Sequence, residues 1–144
     1  MYIGATINES PVIAGVAGAA ITAGAGKAVK RDGTGKIVLC SVAGELAEGI
    51  LLLDTQDSIS ADEEVTVQIK AIGQAIAGAQ IPAGAEVTTN ANGKLVPAVA
   101  ATFSVSGDAA TVATKNYVLG YAKTAAGGDG AIFEVDIRKS GYKL

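Results

Sequence analysis

The sequence predicts an all-β fold, and three observations predict it. The β-branched residues, 14 Val, 13 Ile and 11 Thr, far outnumber the 8 Leu, which favours strands over helices. Glycine-rich turn signals punctuate the apolar stretches at residues 32–35, 92–93, 106–108 and 127–130. Residues 64–70 alternate strictly between polar and apolar side chains. We therefore expect a compact antiparallel β-barrel or β-sandwich of about eight short strands.

Taken in order, residues 1–11 carry no strong periodicity and are predicted to form an extended N-terminal arm. Residues 12–144 then form a single β-rich domain, as expected for a chain of 144 residues. The clearest element is a hairpin of residues 27–31 and 36–40, because the Asp-Gly-Thr-Gly between them lets the chain reverse. Further strands are predicted at residues 49–53, 64–70, 85–89, 94–96, 117–122 and 131–137.

One segment leaves the choice between helix and strand open. Residues 71–79 are rich in alanine and fit one short helix, but Gly73 and Gly78 interrupt them. The Ile-Pro-Ala-Gly turn at residues 81–84 would end such a helix directly. The predicted fold therefore contains at most one short helix.

The composition excludes several classes of function. The chain has no His, which removes the commonest general base and the commonest metal ligand. Its single cysteine, Cys40, lies among apolar neighbours and is predicted to be a buried small hydrophobe. A net charge of −3 does not favour nucleic-acid binding. The uncharged apolar run at residues 12–26 is too short to cross a bilayer.

No cofactor site is predicted. Residues 23–28 resemble a phosphate-binding loop, but Ile21 and Ala28 stand where such a loop needs Gly and a hydroxyl residue. The acidic stretch at residues 45–64 lacks the Gly and Glu of a calcium loop, since Ile59 and Val65 occupy those positions. A loosely assembled divalent-cation site, or a small enzyme that uses only carboxylates or Lys, stays open as an alternative to a solvated acidic loop.

The order of several short blocks resembles that of small Ala/Gly-rich phage head-decoration proteins, also called capsid cement proteins. The blocks are Ile-Thr-Ala-Gly at 21–24, Lys-Ala-Val at 27–29, Gly-Lys-Ile-Val at 35–38, Ala-Glu-Gly-Ile at 47–50, Glu-Val-Thr-Val at 64–67, Ile-Pro-Ala-Gly-Ala at 81–85, the run from Thr88 to Ala98, Val-Leu-Gly-Tyr-Ala at 118–122 and Gly-Ala-Ile-Phe-Glu-Val at 130–135. Together they span about residues 12–137. Two segments depart from that pattern: residues 103–115 are longer than the usual link, and residues 138–144 run past the usual end.

The resemblance implies a non-enzymatic virion protein, made in the host cytoplasm, that binds the outer surface of the capsid. Such proteins clamp neighbouring major capsid subunits, most often as homotrimers at local three-fold sites and sometimes as homodimers. Neither nucleic acid nor membrane is an expected partner. The alternative is another virion β-module, associated with a tail or a fibre.

Two groups of residues are candidates for contact with the capsid or with another subunit. Many identical contacts on a lattice add up through multivalency, so each contact can be weak. An arm that becomes ordered on the capsid would add to them. The candidates are the arm residues Tyr2, Ile3 and Ile7, and the basic hairpin residues Lys27, Lys30, Arg31 and Lys36.

Overall fold

A computed structural model describes residues 10–52, 58–107 and 109–143. These residues form fourteen short strands and no helix. The strands are β1 (Val12–Val16), β2 (Ile21–Thr22), β3 (Ala28–Arg31), β4 (Ile37–Leu39), β5 (Gly49–Leu51), β6 (Ser58–Ile59), β7 (Glu64–Gln68), β8 (Ala71–Ile76), β9 (Glu86–Thr89), β10 (Leu95–Pro97), β11 (Thr102–Ser106), β12 (Ala109–Thr114), β13 (Gly120–Ala122) and β14 (Ile132–Ile137).

The strands are organised into two five-stranded antiparallel sheets, which confirms the predicted all-β class. The first sheet has the order β1-β7-β5-β3-β4, and the second has the order β8-β14-β13-β9-β10. Two small sheets, β2-β6 and β11-β12, complete the described strands. Neither large sheet closes into a barrel over these residues, so the architecture is of the sandwich type.

The choice left open for residues 71–79 is decided in favour of a strand. Residues Ala71–Ile76 form β8, which pairs along its whole length with β14. Alternation explains the outcome, because Gly73 and Ala75 face inward while Ile72 and Gln74 are exposed. Pairing with a complete neighbouring strand outweighs the intrinsic helix preference of alanine.

The estimate of about eight strands is wrong, because the sheets contain short strands that carry little periodicity. The hairpin predicted for residues 27–40 is confirmed as β3 and β4, and the alternating segment is confirmed as β7. The strands that were missed are β1, β2, β6, β8, β11 and β12.

The fold is a tandem repeat. Residues 12–69, the N-terminal half, and residues 72–137, the C-terminal half, each build one large sheet with the same order of equivalent strands. Strands β1, β7, β5, β3 and β4 correspond to β8, β14, β13, β9 and β10. In the same way, Ala17 forms a parallel bridge with Ile37 and Ala77 forms one with Leu95.

The turn hydrogen bonds of the N-terminal half are also found at the equivalent turn of the C-terminal half. In the turn between β3 and β4, the Asp32 side chain accepts hydrogen bonds from the backbone N–H of Thr34 and Lys36. In the turn between β9 and β10, the Asn90 side chain accepts the same two bonds from Asn92 and Lys94. Each turn ends on a glycine with positive φ, 84° at Gly35 and 77° at Gly93. These turns are therefore equivalent in backbone and in side-chain chemistry.

The buried residues also repeat. The smaller core cluster belongs to the N-terminal half alone, and each of its seven fully buried members has a buried equivalent in the C-terminal half. The pairs are Ala17 and Ala77, Ile21 and Ile81, Val29 and Val87, Ile37 and Leu95, Leu51 and Ala122, Val65 and Phe133, and Val67 and Val135. The first sheet also contributes Ala28 and Ile50 to the larger cluster, so that both of its faces are covered.

The halves differ most between the third and fourth equivalent strands in chain order, β4 and β5 in the N-terminal half and β10 and β13 in the C-terminal half. In the N-terminal half, residues 40–48 link β4 to β5 directly. In the C-terminal half, residues 98–119 make the same link and contain the extra hairpin β11-β12. This hairpin pairs with no other described strand and includes most of the segment that is longer than in the decoration proteins.

Candidate interaction surfaces

The two groups of predicted contact residues have different outcomes. Tyr2, Ile3 and Ile7 lie outside the described residues, so their role stays a prediction. Lys27, Lys30, Arg31 and Lys36 lie together on and around the β3-β4 hairpin, as the sequence indicated. Three of these four basic side chains already have acidic partners within the chain.

The acidic stretch supplies these partners. Lys30 Nζ lies 2.6 Å from Glu45 Oε2, and Arg31 Nε lies 3.5 Å from Glu48 Oε1. At the hairpin tip, Lys36 Nζ lies 2.5 Å from Asp62 Oδ1. The stretch at residues 45–64 therefore neutralises the hairpin of its own chain, which weakens the case for a purely cationic docking surface.

Glu45 is the most firmly held of these acids. One carboxylate oxygen accepts hydrogen bonds from the backbone N–H of Ser41 and Val42, and the other accepts a bond from Lys30. Burial alone would raise the pKa of Glu45, but the bonds from Lys30, Val42 and Ser41 outweigh it and hold the pKa below its ordinary value. The ionised carboxylate thus orders the loop that follows β4.

Cys40 lies beside this loop and is 1% exposed, which confirms the predicted buried cysteine. Burial, reinforced by the nearby charge of Glu45, raises the pKa of its thiol to about 12. The protonated thiol is a weak nucleophile at neutral pH. Its role is therefore to fill space in the larger core cluster.

A metal site in the acidic stretch finds no support in the described part of the chain. No group of three or more Cys, Asp or Glu side chains converges there in a way that could hold an ion. Asp54 and Asp57 lie outside the described residues. Within the described ranges there is also no helix long and apolar enough to cross a membrane.

The surface that sequence reasoning missed is the β11-β12 hairpin. Every residue of β11 is exposed, including Phe103 at 57% and Val105 at 73%. These two apolar side chains are two positions apart and therefore share one face of the strand. Ser104, on the opposite face, exchanges a hydroxyl hydrogen bond of 2.9 Å with Thr111. Strand β11 thus has one apolar and one polar face.

The C-terminal tail holds the base of this hairpin through contacts of Tyr142 and Lys143 that are here called the brace. The backbone N–H of Ala101 donates to the carbonyl of Lys143, and the N–H of Lys143 donates to the carbonyl of Asn116. The rings of Tyr117 and Tyr142 meet edge to face with centroids 5.9 Å apart. The tail at residues 138–143 therefore contacts the residues that flank the segment 103–115 on both sides.

The Lys115 side chain adds a charged contact to the brace. The ammonium of Lys115 lies 5.1 Å from the Tyr117 ring centre and 5.4 Å from that of Tyr142. Both distances are within the range of a cation–π interaction. Its hydrogen bond with Tyr117 raises the pKa of Lys115 above the ordinary value. The brace ties the hairpin to the body of the C-terminal half.

A second apolar surface lies between the halves. It is a groove of about 470 Å³ that is lined by Ala25, Gly26, Leu51, Leu52, Gln74, Ala75, Ile76 and Ile132. Ile132 is 69% exposed at its rim. None of the residues in this apolar groove carries a charge. Such a surface suits an uncharged apolar partner.

Comparison with known proteins gives a likeness of fold. No known protein family matches the chain, and no curated protein matches it. Among solved structures, it is similar to the crystal structure of the N base of head fiber gp8.5 from bacteriophage phi29. The likeness covers 92% of this chain and 98% of that chain, with a TM-score of 0.57 and 18% sequence identity. The two chains therefore share an all-β fold over nearly their whole lengths.

Proposed function

We propose that the chain is a structural, non-enzymatic protein of a phage virion that binds the outer surface of the capsid. There it stabilises the assembled head by clamping neighbouring major capsid subunits. The observation that carries this proposal is the likeness of nearly the whole chain to the base of a phage head fiber. The order of sequence blocks resembling decoration proteins leads to the same class of protein independently.

The side-chain chemistry supports a binding role. The chain has no His, and its one thiol is buried and protonated at neutral pH. Three of the basic residues that could meet a charged substrate are paired with Glu45, Glu48 and Asp62. By contrast, two apolar surfaces are exposed and accessible to a partner. They are the face of Phe103 and Val105 and the apolar groove. Exposed apolar patches of this kind mark protein–protein contacts.

A second candidate has a specific observation in its favour. The similar solved structure is the base of a fiber, so this chain could serve as the base on which a fibre stands rather than as a free clamp. In that case a fibre would extend from the site at which the chain binds. The two functions share the attachment to the head and differ in what projects from it.

We further propose that the chain acts as a homo-oligomer, a trimer or a dimer, because head lattices offer three-fold and two-fold sites. Weak contacts repeated in one oligomer, and again over the lattice, give strong binding through multivalency.

Electron microscopy of virions labelled with antibody against this chain tests the proposal. Label on the head surface at sites from which no fibre projects supports the clamp. Label at the foot of head fibres supports the fibre base. Label confined to the tail, or no label on intact particles, would contradict attachment to the outer head surface. Particles from a phage that lacks the gene provide the control for antibody specificity.

A further inference from the structure

We propose that the apolar face of β11 packs into the apolar groove of a second copy of this chain, and that this contact builds the homo-oligomer. The inference rests on the proposed homo-oligomeric state and names the two surfaces that form it. Phe103 and Val105 are the side chains that enter the groove.

The hairpin needs a partner. A two-stranded hairpin is marginally stable in water unless it packs against something else. Here β11 and β12 pair only with each other among the described strands, and Phe103 and Val105 remain exposed. The N-terminal half builds the equivalent sheet without such a hairpin, so the repeat itself does not require it. An insertion that the scaffold does not need is a common location for function.

The hairpin is also held in place for binding. The Tyr117–Tyr142 contact and the backbone bonds of residues 101, 116 and 143 fix its base. A braced hairpin loses less conformational freedom on association than a free loop does. The brace therefore favours a docking role over that of a passive loop.

The groove matches β11 in its lack of charge and is large enough for its two apolar side chains. Residues 98–107 of the hairpin strand and its approach carry no charge, and neither does the groove. A volume of about 470 Å³ is within the ~300–1,000 Å³ range of pockets that enclose drug-sized ligands, enough for one aromatic and one aliphatic side chain. Charged partner surfaces would leave their charges without water at this contact, at a high cost in free energy.

We assign the occupant to another copy because every copy carries both an exposed apolar face on β11 and an uncharged apolar groove, on different surfaces of the chain. None of the hairpin's residues lines the groove, and the two belong to different sheets. Such a contact closes when two copies exchange hairpins about a two-fold axis, or when the rotation between successive copies closes a head-to-tail ring. Each copy then supplies one hairpin and one groove.

The test uses three full-length proteins: the natural chain, the double variant F103S/V105S, and Ile132→Lys at the rim of the groove. Light scattering after size exclusion gives the mass of each. We expect the natural chain to form a closed oligomer and each variant to associate at least about tenfold more weakly, as for the loss of a central interface anchor. Circular dichroism and melting curves check that both variants are folded.

A mixture of the two variants gives the sharpest result. The F103S/V105S copy retains its groove and the Ile132→Lys copy retains its hairpin, so the mixture should form a one-to-one dimer that grows no further. Ser104→Ala, on the polar face of the hairpin, and Ile72→Lys, exposed on β8 but outside the groove, are the matched controls and should keep the natural mass.

Several results would overturn the proposal: a monomeric natural chain, a double variant of unchanged mass, or a mixture of folded variants that stays monomeric. Loss of the oligomer on removal of residues 1–9, with no effect of the hairpin variants, would instead assign the contact to the N-terminal arm. These masses are measured without heads, so a failure here is distinct from a failure to bind the capsid.

Discussion

Gly49 and Gly120 occupy equivalent positions in the two halves, and each lies directly against a backbone carbonyl of the neighbouring sheet strand. A Cβ at Gly49 would collide with the carbonyl of Gln68, and a Cβ at Gly120 would collide with the carbonyl of Asp136. Both contacts lie where the fourth equivalent strand, β5 or β13, pairs with the last strand of its half, β7 or β14. The same close approach is therefore built twice in one chain.

The glycine pair leads to the first prediction. Gly49→Ala and Gly120→Ala should each lower the free energy of unfolding by about 1–3 kcal/mol or more, because backbone atoms cannot move aside as a flexible side chain can. Urea denaturation measures the loss. Gly127→Ala is the control, since a Cβ there meets no other atom within 4 Å. Equal stability of Gly120→Ala and Gly127→Ala would show that the strands do not approach as closely as described.

A second prediction compares two ion pairs on one hairpin. Lys30–Glu45 is the more buried pair, with side-chain exposures of 26% and 17%, against 42% and 71% for Lys36–Asp62. A double-mutant cycle with Lys30→Ala and Glu45→Ala should give a coupling of about 1 kcal/mol after allowance for solvent screening. The cycle for Lys36 and Asp62 should give a smaller coupling that disappears in high salt. A larger coupling at the exposed pair would contradict this order.

The pH dependence follows from the same carboxylate. The pKa of Glu45 in the folded chain is below its ordinary value of 4.5, so folding favours the ionised form. The ionised Glu45 carboxylate stabilises the fold fully above that ordinary pKa, and this stabilisation is lost as the pH falls through the lower pKa of the folded chain. The melting temperature of the protein should therefore fall steadily as the pH is lowered below about 4.5. Glu45→Gln should flatten this part of the curve, and an unchanged pH profile in that variant would assign the acid sensitivity to other groups.

The repeat predicts which substitution each turn tolerates. Asp32→Asn should leave stability nearly unchanged, because Asn90 accepts the same two backbone bonds in the other half. Asn90→Ala should cost about 1 kcal/mol through the loss of those bonds, and Asp32→Ala should change stability in the same direction. Chemical denaturation of the three variants measures this. If Asp32→Asn were as damaging as Asp32→Ala, the two turns would not be equivalent.

Much of the fold can be predicted from the sequence wherever local chemistry decides it. The Asp-Gly-Thr-Gly turn fixes the β3-β4 hairpin, and strict alternation fixes β7, because neither depends on distant residues. The segment Ala71–Ile76 could not be assigned this way. Its alanines favour a helix in isolation, and only its partner β14 makes it a strand.

The tandem repeat is the feature that sequence reasoning missed, although a signal was present. Residues 17–25 read Ala-Gly-Ala-Ala-Ile-Thr-Ala-Gly-Ala and residues 77–85 read Ala-Gly-Ala-Gln-Ile-Pro-Ala-Gly-Ala. Gly-Lys-Ile-Val at 35–38 likewise corresponds to Gly-Lys-Leu-Val at 93–96. Such similarity is hard to notice in a chain so rich in Ala and Gly, and the inserted β11-β12 hairpin changes the spacing of everything after it.

The candidate contact surface was predicted only in part. Clustered basic residues identified the β3-β4 hairpin, but the sequence could not show that Glu45, Glu48 and Asp62 of the same chain pair with it. The exposed face of Phe103 and Val105 carries no local signal, because apolar alternation in a strand usually indicates a buried face. Exposure is decided by which other elements pack nearby, and that is a property of the whole fold.

Adding the purified protein to phage heads assembled without it tests whether this chain binds and stabilises the outer surface of the head. Scanning calorimetry then follows the melting of the heads as the protein is titrated. We expect saturable binding at a fixed ratio to the capsid subunits and a higher melting temperature of the heads. Heads that bind no protein, or that melt at an unchanged temperature with the protein bound, would show that the chain does not stabilise the head surface.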